Sequence, residues 1–421
     1  MRVQKKVQKS VRQVDKQTLL LMALSAVVVI IGFMYNPSGQ FSDIRPFYGM
    51  RYWNGDHPWP FSEYFPPGAA TPVPAIEYPA LTGLIIWLLT FFVPISPNST
   101  MHYFYLTSFV HGVLFLVLIY LVKRLSSIRY AYLLILAPAV VTSLNRNWDI
   151  WVMVPTLASI LFFESKRYHL SAITLGIAIA TKFFPVVLFL GIAVFFLRNK
   201  ELKRLITYFL VTLIVWLGIN LPVMAVDLQG WSFFYQLSFS RGLGEGSFFT
   251  LFSKLGLDLE FSNIAYYFFN SFTFLALLLF LWKSPEVLNL TQSAFLLVTA
   301  FTLFGKQYSM QYVLWLAPLA VIAIPTIAKR RQNRLILGYI CWQFFEILFH
   351  QAYYQNLLAR VLESRGTPLA QYWSDFEYGI AGILRYSAFL IFVYLITSSL
   401  GSRKRNIVAK QNQVATTRKK K

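Results

Sequence analysis

Three acidic residues lie close to the ends of long apolar segments, where a carboxylate could act on a substrate at the membrane surface. They are Asp43, Glu77 and Asp149. Charged side chains are costly at membrane depth, so such residues are candidates for function. Asp43 could act as a general base that takes a proton from an attacking hydroxyl group. Alternatively, it could cap a helix or pair with Arg45, which is itself a candidate for a substrate cavity.

Glu77 and Asp149 each admit a structural and a functional role. Glu77 precedes Tyr78, another candidate for the cavity, and it could stabilise a helix N-terminus by about 0.3 to 1 kcal/mol or orient a donor or an arginine. The structural role is slightly favoured for Glu77. Asn147 and Asp149 belong to a polar turn between two apolar segments, which could simply be solvated. Because Asp149 leads straight into an apolar segment, we expect it to cap that helix and to line the cavity.

Two lysines, Lys182 and Lys306, each lie alone between two apolar segments. Their ammonium groups could reach lipid headgroups along the helix surface. They could also bind a lipid phosphate, because charge-assisted bonds to phosphate oxygens compensate the desolvation of a cation and stabilise a leaving phosphate. The phosphate role is favoured. Polar side chains follow Lys306 and are included in the candidate cavity: Gln307, Tyr308 and Gln311.

The sequence contains no group of residues at metal-ligand spacing. The five histidines are scattered singly, and the one cysteine, Cys341, lies in an apolar segment as an expected packing residue. A zinc site would need several such ligands close together. We therefore expect no required cofactor and no resident metal. The carboxylates of Asp43, Glu77 and Asp149 would still offer oxygen ligands to a divalent cation if they converged.

The elements that must position these residues are membrane-spanning helices. Hydrophobic residues make up 57% of the 421 residues, charged residues make up 13%, and the mean hydropathy is +0.54. A soluble domain has roughly 25% charged residues. The apolar runs are continuous rather than alternating, which indicates helices and not a β-barrel. We predict an all-α polytopic bundle of about twelve transmembrane helices, near residues 18–34, 102–122, 128–144, 149–163, 168–181, 183–197, 205–226, 263–282, 288–304, 310–328, 333–350 and 379–400.

One further apolar stretch, 81–95, decides the orientation of the bundle, because it is short for a span and is bracketed by prolines. If it crossed the membrane, the basic clusters of the short connections would face outward while the N-terminal lysines faced inward. If it is re-entrant or juxtamembrane, those clusters and both termini lie in the cytoplasm, as the positive-inside rule requires. We predict the second topology. It places the candidate residues on the outer face of the plasma membrane.

This topology predicts one transmembrane catalytic domain, 18–400, with outer loops at 36–101, 227–263 and 351–378. The basic tails, 1–17 and 401–421, lie in the cytoplasm against anionic lipids, and the second is expected to be disordered. The net charge of +21 collects in these tails and in short connections, which argues against a nucleic-acid partner. No cytoplasmic segment is large enough for a nucleotide-binding domain, and no phosphate-binding glycine motif is present. A donor carried by a membrane lipid suits such an enzyme.

At these residues the sequence resembles the GT-C superfamily, specifically the bacterial polyprenyl-phosphate-mannose-dependent mannosyltransferases (alpha-mannosyltransferases) and their uncharacterised relatives. The order and spacing of several short motifs carry the match: Ser42-Asp43-Ile44, Glu77-Tyr78-Pro79, Asn147-Trp148-Asp149, the stretch 176–185, and Lys306 with Ser309, Gln311 and Tyr312. The sequence departs from the family pattern at Ala80 and Met310, where relatives commonly have proline. These departures concern local backbone shape. The last third of the chain carries no recognisable motif.

The resemblance implies that Asp43 is the general base, that Lys182 and Lys306 contact the donor phosphate, and that Glu77 and Asp149 shape the cavity. It implies inverting transfer of a sugar, with mannose expected, from a polyprenyl-phosphate donor to a lipid or cell-envelope glycan acceptor. A transporter or flippase for lipid-linked sugars is the alternative, although the internal repeat that such folds often have is not evident. A ligase or polymerase that moves whole glycans would share the same outer site.

Overall fold

The computed structural model describes residues 16–244, 246–257, 263–284, 288–363 and 373–401. Within these ranges the chain folds into seventeen α-helices, numbered here α1 to α17 in chain order: Lys16–Tyr35, Ile44–Arg51, Ala80–Thr90, Ser99–Leu125, Ile128–Ile135, Pro138–Ser143, Ile150–Glu164, Tyr168–Thr181, Leu188–Arg198, Leu202–Val226, Leu228–Ser240, Phe248–Lys254, Asn263–Lys283, Leu290–Leu303, Val313–Ala323, Lys329–Glu363 and Asp375–Gly401. The β-structure of the described ranges is one isolated bridge between Tyr64 and Val73. The all-α prediction is confirmed. Nearly all of the two predicted basic tails lies outside the described residues.

Five of the described helices are long and apolar enough to cross a membrane, namely α1, α4, α10, α13 and α17. Further apolar helical segments have 10–17 residues. Since a helix needs about 20 residues to cross the hydrocarbon core, the predicted count of twelve spans is not confirmed. The long helices make the chain a multi-pass membrane protein, and its membrane and orientation stay predictions.

Several predicted elements differ from the observed ones. The predicted span 128–144 is divided into α5 and α6 at Pro138, which cannot donate a backbone hydrogen bond to the preceding turn. Helix α16 has 35 residues and extends past both ends of the predicted span 333–350, so part of the predicted outer loop 351–378 is helical. The predicted loop 227–263 contains α11 and α12. The stretch 81–95 forms α3, whose 11 residues reach only about 16 Å.

Polar caps explain where some of the helices begin. The Asp227 side chain accepts a hydrogen bond from the Gly230 amide at the start of α11. At the start of α14, Asn289 and Gln292 form a capping box, in which each side chain bonds to the other residue's backbone N–H group. Such caps satisfy amides that have no acceptor within the helix. The ends of the membrane helices are therefore set by local polar residues as well as by hydropathy.

The main hydrophobic core lies around α15, whose residues Val313–Ala323 are all buried. Helix α14 packs beside it and is also largely buried. By contrast, only 6% of the apolar window of α13 is buried within the protein. An apolar helix that is exposed in this way is suited to contact with lipid. Helices α14 and α15 therefore form the centre of the bundle and α13 part of its periphery.

A second, smaller core lies beneath the segment that joins α1 to α4. It contains Ile44, Tyr48, Tyr78 and Trp148, together with Tyr103 of α4. The rings of Tyr48 and Tyr103 are stacked, with their centroids 4.7 Å apart. Because this core joins residues from both sides of α3 to the α6–α7 connection, it sets the relative positions of the polar residues at that end of the bundle.

Arg51 organises the backbone of the same segment. It is buried, and its guanidinium donates to the carbonyl oxygens of Trp59, Ser62, Val73 and Pro74. Burial lowers the pKa of Arg51 from its usual value. A guanidinium has several donors in a fixed plane and can therefore bond to several backbone carbonyls at once. The segment between α2 and α3 is thus folded around one arginine.

Basic connections meet at the other end of the bundle. Lys123 donates to Thr18, Tyr130 donates to Gln332 at 2.7 Å, and Arg331 donates to the Ser398 carbonyl at 3.1 Å. These contacts bring the end of α4 close to the beginning of α1, and they bring the end of α17 and the beginning of α5 close to the beginning of α16. Several of the basic segments that were predicted to lie on the cytoplasmic side thus lie together at one end of the fold.

Candidate active site

A cavity of about 770 Å³ opens among the connections at the end of the bundle opposite these basic segments. Its charged lining residues come from six separate parts of the chain: Asp43, Glu77, Arg146, Lys182, Arg241 and Lys306. The segments around Asp43, Glu77 and Asn147 and the two lysines identified in the sequence all contribute to it. Residues distant in sequence are therefore brought together at one site.

Nine of the candidate residues line this cavity, and two do not. The lining residues are Asp43, Glu77, Tyr78, Asn147, Lys182, Lys306, Gln307, Tyr308 and Gln311. Arg45 lies elsewhere, since its guanidinium bonds to the Ser38 carbonyl and its side chain packs over Gly39. Asp149 is fully buried and does not itself line the cavity. The predictions that Arg45 and Asp149 line the cavity are therefore wrong.

The segment that carries Asp43 is fastened to the turn that carries Arg146. The Asp43 amide donates to the Arg146 carbonyl at 2.9 Å, and Ser42 Oγ donates to the same carbonyl at 3.1 Å. The Arg146 guanidinium donates in return to the Phe41 carbonyl. Asp43 precedes α2, but its side chain makes no capping bond. The structure therefore does not support the capping role or the pairing with Arg45.

Burial raises the pKa of the Asp43 carboxyl above its usual value. The positive charges of Arg146 and Lys182 oppose this rise, and the negative charge of Asp149 adds to it. A carboxylate with a raised pKa is a stronger base than an exposed aspartate. The electrostatics at Asp43 are those of a group that could accept a proton.

Lys182 forms an ion pair with Asp149 and is not the unpaired cation that the sequence suggested. The Asp149 side chain is completely buried, whereas 19% of the Lys182 side chain is exposed. The ammonium group also lies 4.9 Å from the Trp315 ring centroid and 5.8 Å from that of Tyr78, within the range of cation–π attraction. Asp149 makes no helix-capping bond. Its observed role is to balance the charge of Lys182, which contradicts the expected cap.

Lys306 lies near the rim of the cavity. Its ammonium group donates to the Phe239 carbonyl at 2.9 Å and lies 5.6 and 5.3 Å from the ring centroids of Tyr266 and Tyr267. Phe239 is 75% exposed and Tyr267 is 50% exposed. The Lys306 carbonyl accepts a hydrogen bond of 2.8 Å from the Gly244 amide. The Lys306 ammonium group is thus bound to a backbone carbonyl and lies beside aromatic rings that are partly exposed.

Glu77 pairs with Arg241, which sequence reasoning had missed. The two side chains are 2.9 Å apart and both line the cavity. Helix α3 begins only at Ala80, so Glu77 is not in its first turn and the favoured helix-terminus role is wrong. Arg241 follows directly on α11, in a segment with several glycines. A lone arginine in a predicted outer loop, where basic residues are disfavoured, was the signal that could have identified it.

The acidic residues approach one another without forming a metal site. Asp43, Glu77 and Asp149 all lie close enough to Tyr78 to add to the effect of burial, which raises the pKa of the tyrosine hydroxyl. Within the described ranges, no three His, Cys, Asp or Glu side chains are grouped so that they could hold a metal ion. The expectation that no metal or other cofactor is required stays a prediction.

Comparisons with known proteins find similarity to a curated sequence and to solved structures. No family model matches the chain. The chain is 26% identical over 255 residues to GPI mannosyltransferase 1 of Eremothecium gossypii, which is 56% of this chain and 62% of that protein. The chain thus spans about three fifths of the length of this curated relative.

Two crystal structures of ArnT from Cupriavidus metallidurans, one bound to undecaprenyl phosphate and one in the apo state, align with 93% and 91% of this chain and with 79% and 77% of their own chains. Both have a TM-score of 0.45, at 12% and 13% identity. This structural similarity is too weak to assign the fold. The sequence match confirms the predicted resemblance of this chain to a mannosyltransferase.

Proposed function

We propose that this protein is an integral membrane glycosyltransferase, and that it transfers a sugar from a polyprenyl-phosphate donor to a lipid or cell-envelope glycan acceptor with inversion. The observation that carries this proposal is the meeting of a partly buried carboxylate, Asp43, with the cations Lys182 and Lys306 in one cavity. The exposed aromatic residues at the rim, among them Phe239 and Tyr267, suit contact with an isoprenoid chain. A base, a phosphate-binding cation and an apolar entrance are what such a reaction needs.

In the proposed reaction, Asp43 accepts the proton of the acceptor hydroxyl group. The oxygen then forms a bond to the anomeric carbon on the face opposite the phosphate. The bond between that carbon and the phosphate oxygen breaks, and the polyprenyl phosphate leaves with the electron pair. The configuration at the anomeric carbon is thereby inverted. The raised pKa of Asp43 favours its role in the first of these steps.

The two lysines have different surroundings, and we assign them different parts in donor binding. Lys306 lies at the rim beside exposed rings and balances no described carboxylate, so it is the principal ligand for the donor phosphate. Lys182 is already paired with Asp149. It can bond to a phosphate only by sharing its ammonium protons between Asp149 and that phosphate. In both cases charge-assisted bonds would stabilise the negative charge of the leaving group.

The proposed sugar is mannose, because the curated relative is named a mannosyltransferase. That match covers 56% of the chain, so donor, acceptor and linkage are part of the proposal. The predicted orientation adds that the reaction takes place on the outer face of the plasma membrane. No soluble nucleotide is required, since the donor carries its own activating phosphate.

The test uses the purified full chain in detergent with radiolabelled polyprenyl-phosphate sugars and extracted envelope lipids and glycans as acceptors. We expect label from one donor, mannose first, to move into an extractable product. Asp43→Asn should lower the rate by about 10²- to 10⁴-fold. Asp56→Asn is the matched control, because Asp56 is an exposed acid of the same loop.

Two results would contradict the proposal: no transfer by the wild type from any donor in the panel, or equal turnover by Asp43→Asn and the wild type. The assay also separates transfer from transport. A flippase moves its substrate between leaflets and makes no covalent product in detergent.

A further inference from the structure

Three consecutive backbone carbonyls beside Lys306 are held by side chains from the last third of the chain. Arg385 of α17 has its guanidinium nitrogens 2.9 Å from the Tyr308 carbonyl and 3.4 Å from that of Ser309. His350 of α16 has Nε2 3.2 Å from the Met310 carbonyl. The sequence around these two residues carried no recognised motif. The contacts nevertheless fix the loop 304–312, which joins α14 to α15.

The holding side chains are themselves held by Glu346. Its Oε1 lies 2.8 Å from Nη2 of Arg385 and 3.7 Å from Nε2 of His350. Its Oε2 accepts a hydrogen bond of 3.0 Å from the Trp342 indole. The side chains of Glu346 and Arg385 are completely buried and that of His350 nearly so. A buried charge is tolerated when it is paired, so these groups have little freedom to move apart.

Aromatic rings enclose the guanidinium from two sides. Its central carbon lies 3.6 Å from the ring centroid of Tyr308 and 4.3 Å from that of Phe349. His350 is fixed in turn by Thr142, whose Oγ1 lies 3.2 Å from the other ring nitrogen. Arg385 therefore bonds to backbone atoms of the loop while its own orientation is set by packing.

We infer that Arg385, Glu346 and His350 form a buried clamp, which positions the loop 304–312 and through it presents Lys306 and Gln311 to the donor phosphate. The inference rests on the proposed function, because it assigns the clamp a part in donor use. None of these three side chains lines the cavity. They are positioning residues, since they act through the backbone of the loop and not on the substrate.

The clamp can be recognised in the kinetics, because its effect on donor use must depend on Lys306. Arg385→Lys keeps a positive charge beside Glu346 but loses the planar fork that reaches two carbonyls. We expect it to lower kcat/KM for the donor about tenfold, as the phosphate-binding cation is no longer held in place. In a chain that already carries Lys306→Ala, the same substitution should cost less than about twofold. Effects of residues that act as one unit are not additive.

A second variant removes the clamp without leaving a buried charge unpaired. Arg385→Met together with Glu346→Gln is neutral, and the glutamine can still accept from Trp342. This double variant should also lower kcat/KM for the donor by much more when Lys306 is present than in the Lys306→Ala background. Tyr208→Phe is the control for general loss of stability. It removes a buried hydroxyl group that lies 2.8 Å from Ser171, away from the cavity, so its effect should be equal in both backgrounds.

A measurement without donor tests the clamp even if the proposed function fails. In a Cys341→Ala background, a spin label at Gln307→Cys should move faster when Arg385→Lys is added. If the wild type transfers no sugar, the proposed function is refuted, whereas loosening of the loop in the labelled chain would still support the clamp. In a protein that does transfer sugar, an unchanged spectrum would overturn the clamp. Equal losses of kcat/KM with and without Lys306 would also overturn it.

Discussion

Arg241 Nη2 lies 2.9 Å from Glu77 Oε2, so an ion pair joins the residue after α11 to the segment before α3 within the cavity lining. The two side chains are 43% and 38% exposed. Exposed ion pairs contribute about 0 to 1 kcal/mol to stability. The pair therefore affects the shape of the cavity more than the free energy of unfolding.

Reversal of either charge of this pair should impair turnover and leave thermal stability nearly unchanged. We expect Glu77→Arg and Arg241→Glu each to lower the rate of sugar transfer about tenfold, because two like charges then repel across the cavity. The chain that carries both reversals should recover most of the rate. The control pair is Arg204 with Glu201, an exposed ion pair at the opposite end of the bundle. Failure of the double reversal to recover activity would show that the pairing is not what matters.

The dependence of transfer on pH should report the raised pKa of Asp43. As the general base, Asp43 must be ionised, so the rate should fall as the pH is lowered through this raised value. Arg146→Gln removes a charge that lowers the pKa. The acidic limb of the kcat/KM profile should therefore move to higher pH, whereas Arg146→Lys should leave it in place. A limb that stays fixed, or that moves to lower pH in the glutamine variant, would remove Asp43 from the titration.

Lys182 and Lys306 should differ in their effects on stability. Lys182→Met leaves the buried carboxylate of Asp149 without its partner, which should cost about 3 to 5 kcal/mol. Addition of Asp149→Asn removes the uncompensated charge and should restore most of the loss. Lys306→Met should change the unfolding temperature little, because that ammonium group lies at the rim. The unfolding temperature in detergent is measured for the wild type and the three variants. Equal losses of stability in Lys182→Met and Lys306→Met would show that the ion pair is not the cause.

The predicted orientation can be tested with single cysteines in a Cys341→Ala background. Ala70→Cys lies in an exposed part of the segment between α2 and α3, and Ser165→Cys lies in an exposed turn next to the basic residue Lys166. In intact cells, a membrane-impermeant maleimide should label the first cysteine and reach the second only after permeabilisation. Labelling of Ser165→Cys from outside, with protection of Ala70→Cys, would invert the topology.

The sequence predicted the kind of fold well, because long apolar runs leave helices as the favoured choice in lipid. It predicted the bounds of the helices less well. Pro138 divides one predicted span, and α16 continues to Glu363, well beyond its apolar stretch. Neither effect can be read from mean hydropathy. Hydropathy also failed to predict the burial of Cys341, which was expected to pack inside the protein and is exposed.

The candidate site was partly predictable, because isolated charges in an apolar chain attract notice. Asp43, Lys182 and Lys306 were identified in this way and all line one cavity. Their pairing could not be predicted, since it depends on how distant helices pack. Glu346 and Arg385 did leave a signal, namely two opposite charges within apolar segments. That signal was missed because no motif surrounded them.

The position of Arg385 in the chain bears on how the protein is made. The arginine lies in α17, the last described helix, while the loop that it holds lies between α14 and α15. During translation, a nascent chain therefore has every acid and lysine of the cavity well before it has Arg385, which fixes the loop of Lys306. Glu346 also remains without its cation until α17 enters the membrane. The site is therefore completed only after α17 has been made.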